Sequence, residues 1–156
     1  MYNMDLADLR ATERLASMIA EEVETGDVIL LKGELGTGKT AFAKAFVNSF
    51  FAERIEVPSP TFGLVQVFSA PEFSISHYDL YRIKNPNELA ELGLEEAFLS
   101  GVTLIEWPEI IGPLLPKNRI EISLAYGENK ENRVASLITH GSCQQRLREI
   151  FSCVKP

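Results

Sequence analysis

The stretch that constrains this chain most is Gly33-Glu34-Leu35-Gly36-Thr37-Gly38-Lys39-Thr40, which satisfies G-x-x-x-x-G-K-[ST] at every fixed position. Val28-Ile29-Leu30-Leu31 before it reads as a buried strand, and Ala41-Phe42-Ala43-Lys44-Ala45-Phe46-Val47 after it reads as a helix. A glycine-rich loop between strand and helix turns consecutive N–H groups inward, and the positive end of the helix adds to them, so polyphosphate charge meets fixed dipoles. In that frame Lys39 is expected to reach the β and γ phosphates and the Thr40 hydroxyl to bind Mg²⁺. A glycine-rich turn without a ligand is the competing reading, and the strand and helix on either side argue against it.

With 156 residues, the chain suits a single domain over 1–156, long enough to bury a core without disulfides or metal. Its net charge of −7 argues against gripping DNA or RNA directly, because such binding relies on Lys and Arg neutralising phosphates. No apolar run approaches a membrane span, and Met1-Tyr2-Asn3-Met4-Asp5 lacks the basic-then-apolar pattern of a secretory signal, so a cytoplasmic location is expected. Cys143 and Cys153, with His140, lack the paired spacing of a zinc site and read as ordinary thiols.

Ala11 to Val23 has apolar residues at helical spacing and reads as a packing helix ended by Gly26. After the phosphate helix, Val57-Pro58-Ser59-Pro60-Thr61-Phe62 is an extended loop stiffened by its prolines. Thr61 suits a switch-like contact to a γ-phosphate or Mg²⁺; a plain connector fits the local sequence equally well. Phe62–Phe68 and Phe73–Asp79 read as a hairpin, with Phe73, Ile75, His77 and Asp79 on one face. An Asp there can bind Mg²⁺ through water or orient an attacking water, with His77 hydrogen-bonding beside it. A capping Asp and a half-buried His are the plainer alternative.

Asn85-Pro86-Asn87-Glu88 starts a helix expected to run to about Leu92, and Leu94–Leu99 reads as another. Val102-Thr103-Leu104-Ile105-Glu106-Trp107-Pro108 then has the Walker-B pattern, in which a buried parallel strand delivers an acid to the ligand-binding end of the sheet. Glu106 is therefore a candidate Mg²⁺ ligand, and Trp107 is either a lid or core packing. Glu109–Leu115 is a short helical piece, Arg119–Tyr126 and Arg133–His140 form a second hairpin, and Gln144–Phe151 a terminal helix. The expected fold is α/β: a P-loop NTPase-like three-layer arrangement around a mixed sheet with a parallel core and antiparallel hairpin strands.

Taken together, Gly26 to Thr40, Val57 to Phe62, His77-Tyr78-Asp79-Leu80-Tyr81-Arg82 and Ile105-Glu106-Trp107-Pro108 make the chain resemble the TsaE (YjeE-type) family of small bacterial P-loop ATPases. The resemblance implies ATP and Mg²⁺ as cofactors and a role in threonylcarbamoyladenosine formation next to the tRNA anticodon. It implies TsaD-like and TsaB-like partner subunits, with tRNA met only through the complex and hydrolysis resetting that complex between turnovers. By position, Lys39 resembles the phosphate lysine, Thr40 and Glu106 the Mg²⁺ ligands, Asp79 the catalytic or water-positioning acid, and Thr61 the switch contact. Trp107 then lines the nucleotide or partner surface, and Gly33, Glu34, Leu35, Gly36, Thr37, Gly38 and Ala41 complete the nucleotide contacts. Ala41 stands where many members carry a second Thr, which removes a hydroxyl from the α-phosphate side.

Other functions are less well matched. A small-molecule kinase needs an Arg-rich lid, and here the late arginines before the terminal helix are Arg119 and Arg133, flanking a hairpin. Asn129-Lys130-Glu131-Asn132 lacks the final acid of a guanine-reading N-K-x-D. A non-catalytic module that ATP merely locks in one conformation is a further alternative.

Overall fold

The phosphate-loop strand lies at the middle of a mixed sheet. The computed structural model describes residues 1–58, 60 and 64–152. Among them, β1 (Tyr2–Leu6), β2 (Val28–Lys32), β3 (Val65–Ser69), β4 (Ser74–Asp79), β5 (Gly101–Glu106), β6 (Arg119–Tyr126) and β7 (Arg133–His140) form one sheet in the order β1-β7-β6-β2-β5-β4-β3. β2 is parallel to both β5 and β6, and β4 is parallel to β5. The β3–β4, β6–β7 and β1–β7 pairs are antiparallel. The expected parallel core with hairpin strands is the observed one.

Helices α1 (Leu9–Ala20), α2 (Lys39–Asn48) and α4 (Cys143–Ser152) cover one face, where Ile29, Leu31, Ile75, Leu104 and Ile122 contribute to a continuous core. On the other face Val28, Leu30, Tyr78 and Ile105 pack with α3 (Leu94–Ser100) and the 3₁₀ segments Pro86–Leu92 and Pro108–Leu114. The result is three layers. Because β2 is buried on both faces, its sequence is an unbroken apolar run rather than an alternating one.

β1 was not anticipated. Its inward residues Met4 and Leu6 alternate with polar Asn3 and Asp5, and so short a strand depends on pairing with β7 from Tyr2↔Leu137 to Leu6↔Arg133. α1 begins at Leu9, earlier than the apolar period suggests, because the Asp8 side chain caps it by accepting from the Ala11 N–H at 2.9 Å. The helix expected at Asn85 winds as 3₁₀, with the Glu88 N–H donating to the Asn85 carbonyl, as suits a short segment stopped by Gly93. Pro108–Leu114 breaks at Gly112 (φ 53, ψ −118), the residue before Pro113, where the proline ring disfavours helical backbone.

At the start of β2, Asp27 is 2% exposed and accepts from both terminal nitrogens of Arg146, at 2.7 and 2.8 Å, which anchors α4 beneath the sheet. The Cys143 thiol beside them is pushed up to about 12, by burial first and then by the Asp27 carboxylate, so it stays protonated. Cys153 and the expected switch residue Thr61 lie outside the described residues. Among the described residues no helix is long and apolar enough to cross a membrane.

Candidate functional site

The loop from Gly33 to Gly38 leaves β2 and turns directly into α2. Gly33 (φ 140) lies so close to β6 that a Cβ there would run into the Leu124 carbonyl, and Gly38 (φ 104) takes the left-handed backbone that starts α2. The carbonyl of Glu34 collects the Thr37 N–H at 3.3 Å, the Thr37 hydroxyl at 2.8 Å and the Lys39 ammonium at 2.9 Å. Lys39 Nζ also donates to the Gly33 carbonyl, so the loop closes around its own lysine. Burial lowers the Lys39 pKa from its ordinary range, opposed by the Glu106, Glu109 and Asp79 carboxylates.

Glu106 ends β5 with its side chain almost wholly buried. Oε1 accepts from the Thr40 hydroxyl at 2.9 Å, and Oε2 lies 2.7 Å from His77 Nε2. The two residues expected to hold Mg²⁺ are therefore in contact, although 66 residues separate them in sequence. Asp79 pairs with Glu106 in the β4–β5 register, and one of its oxygens accepts from the Tyr81 N–H at 3.0 Å in a turn that ends the strand. His77 and Asp79 share a face, as strand alternation predicts, but the His77 ring bonds to Glu106 rather than sitting beside Asp79. His77 pairs with Leu104, which places Glu106 as its diagonal neighbour on β5.

Trp107 follows Glu106 with φ 56 and ψ 56, a conformation unusual for a bulky residue. Pro108 disfavours ordinary helical backbone here, and the Trp107 N–H donates to the Leu31 carbonyl at 3.3 Å. The turn brings the indole to 3.9 Å from Lys39 Nζ and its ring centroid to 4.9 Å from that of Tyr81. Trp107 is thus a wall of the site: Lys39, Thr40, Asp79, Tyr81, Glu106 and Trp107 line a cleft of about 390 Å³. Leu35, Gly36, Gly38 and Ala41 complete it on the loop side.

A second cavity of about 430 Å³ opens on the other flank of the loop, where Thr37, Gly38 and Ala41 face Asp8, Thr12 and Arg133, among others. Sequence reasoning missed this flank. Asp8 and Thr12 belong to the start of α1, and Arg133 reaches the loop only because the β6–β7 hairpin folds back over it, donating from Nη2 to the Gly36 carbonyl at 3.4 Å. The signal available was the charged hairpin loop, which matches no nucleotide-reading pattern.

The model of the family described as "Threonylcarbamoyl adenosine biosynthesis protein TsaE" matches residues 6–135. A Rickettsia felis protein named "tRNA threonylcarbamoyladenosine biosynthesis protein TsaE" is 45% identical over 132 residues, covering 84% of this chain and 76% of that protein. The Bacillus subtilis protein of the same name is 36% identical over 124 residues, 79% of this chain and 77% of its own length. The crystal structure of Bacillus subtilis YdiB superposes with a TM-score of 0.78 at 28% identity, covering 97% of this chain and 93% of that one. The match runs through the phosphate loop, the His77–Asp79 strand end and the Glu106–Trp107 turn alike, and the chain belongs to the TsaE family of tRNA threonylcarbamoyladenosine biosynthesis proteins.

Proposed function

We propose that this chain is a Mg²⁺-dependent ATP-binding and hydrolysing subunit that acts with TsaD-like and TsaB-like partners and resets their complex between rounds of threonylcarbamoyladenosine synthesis. The observation that carries this reading is the Thr40–Glu106 contact at 2.9 Å, at the mouth of the phosphate loop. A hydroxyl and a carboxylate oxygen at that distance are hard donors that suit Mg²⁺. Bound there, Mg²⁺ neutralises charge on the phosphate oxygens.

The protein's own groups supply the rest. Lys39 exchanges the Gly33 and Glu34 carbonyls for phosphate oxygens, and the loop N–H groups receive the chain of phosphates. Asp79, beside Glu106 on the same face, orients the attacking water. The nucleoside end extends into the flanking cavity between Thr12 and Arg133. The net charge of −7 fits a subunit that leaves tRNA to its partners.

The test is ATP hydrolysis by the chain alone and with its own TsaD–TsaB pair, alongside ATP binding. Lys39→Ala is expected to abolish binding, while Glu106→Ala retains binding and loses Mg²⁺-dependent turnover. Normal hydrolysis by Glu106→Ala would remove the Walker-B assignment. Turnover unaffected by the partner pair but raised by a small phosphate acceptor would favour a kinase instead.

A further inference from the structure

His77 is 0% exposed, yet among the described residues only one of its ring nitrogens is engaged. Nε2 lies 2.7 Å from Glu106 Oε2, whereas Nδ1 has no hydrogen-bond partner among the described residues. Its strand neighbour on the same face, Ile75, and its partner on β5, Leu104, are aliphatic core residues, and its partner on β3 is Gln66. An aliphatic side chain at 77 would avoid leaving a buried polar atom unpaired, so packing does not account for the imidazole. The hydrogen bond to Glu106 does. A carboxylate only accepts, so Nε2 carries the proton and donates.

We infer that His77 is a positioning residue: its Nε2–H holds Oε2 of Glu106 so that Oε1 stays turned toward the Thr40 hydroxyl. The inference rests on the nucleotide site proposed above. Glu106 has several side-chain torsions, and Thr40 restrains only one of its oxygens. With the second oxygen fixed from the core side, the acceptor pair that a divalent cation would use is set before nucleotide arrives. A donor behind a ligating carboxylate is the usual means of orienting it.

The test is Mn²⁺ titration, followed by electron paramagnetic resonance, of the full chain saturated with the non-hydrolysable analogue AMP-PNP. His77→Gln places an amide N–H close to the position of Nε2, whereas the shorter His77→Asn reaches only the position of Nδ1. Mn²⁺ affinity is expected to fall about 10- to 100-fold in His77→Asn and to recover to within about threefold of wild type in His77→Gln. AMP-PNP affinity in EDTA, which reports the loop alone, is expected to stay near wild type in both.

Unchanged Mn²⁺ affinity in His77→Asn overturns the inference, as does a fall in His77→Gln equal to that in His77→Asn. A parallel loss of metal-free AMP-PNP affinity would assign His77 a structural role and also overturn it. Glu106→Gln separates the two levels of argument. If it leaves Mn²⁺ affinity unchanged, the nucleotide-site reading fails and the inference with it; if it weakens Mn²⁺ while His77→Asn does not, only the positioning role falls.

Discussion

Tyr126, the last residue of β6, donates its hydroxyl to the carbonyl of Leu35 at 2.6 Å, joining the β6–β7 hairpin to the tip of the phosphate loop across 91 residues of sequence. Arg133, paired with Tyr126 across the hairpin, lies over the tyrosine ring at 4.7 Å and also reaches the Gly36 carbonyl. A Cβ on Gly36 would come within 2.7 Å of the tyrosine oxygen. The exposed tip of the loop is therefore braced from a distant element, and its shape depends on the hairpin register.

Tyr126→Phe removes that hydrogen bond and little else. Loss of about 1 kcal/mol of bracing is expected to weaken ATP binding about fivefold and to lower the melting temperature by only about 2–4 °C. Isothermal titration calorimetry measures this directly, and wild-type affinity in the variant would show that the loop tip holds its shape unaided.

Trp107 is the one tryptophan in the sequence, and its indole sits 3.9 Å from Lys39 Nζ. If Lys39 moves from the Gly33 and Glu34 carbonyls to phosphate, the ammonium leaves the ring. Tryptophan emission is expected to change on titration with ATP and to stay constant in Lys39→Met. A constant signal in the wild-type chain under saturating ATP would mean that Lys39 binds phosphate without leaving the indole.

Glu121 accepts from Lys32 at 2.7 Å and Arg119 at 2.9 Å. Burial alone would raise its pKa, but those hydrogen bonds and charges prevail and hold it below the ordinary 4.5. A pKa depressed by folding stabilises the native state above the unfolded value, and that contribution is lost as pH falls through the folded one. Glu121→Gln is expected to cost about 1–2 kcal/mol at pH 7, with the difference from wild type shrinking below pH 4.5. Urea unfolding at several pH values reads it, and a difference independent of pH would assign the loss to packing.

Asp27 depends on Arg146 more than the acid of a surface pair would, because its own side chain is almost wholly buried. Arg146→Ala is expected to destabilise the fold by about 3 kcal/mol, visible in urea unfolding, since among the described residues it leaves Asp27 with only the Glu24 N–H and the Cys143 thiol. The double variant Arg146→Ala with Asp27→Asn should recover part of that loss. No recovery would mean that α4 docks through its apolar face rather than through this ion pair.

What the sequence determined by itself was everything that local spacing controls. The loop glycines, Lys39 and Thr40 lie within one turn of chain, and an apolar run ending in an acid specifies both β5 and its C-terminal Glu106. Strand alternation likewise placed His77 and Asp79 on one face. Tertiary structure decided what depends on register and on returning chain: that His77 bonds Glu106 rather than flanking Asp79, that Trp107 turns its indole onto Lys39, and that Tyr126 and Arg133 brace the loop. β1 belongs to the same group, because a five-residue strand with Asn3 and Asp5 in it acquires its structure from β7. Side-chain periodicity tells which face a residue occupies, but a hydrogen bond between strands far apart in sequence is set by their pairing, which the chain specifies only once the sheet has formed.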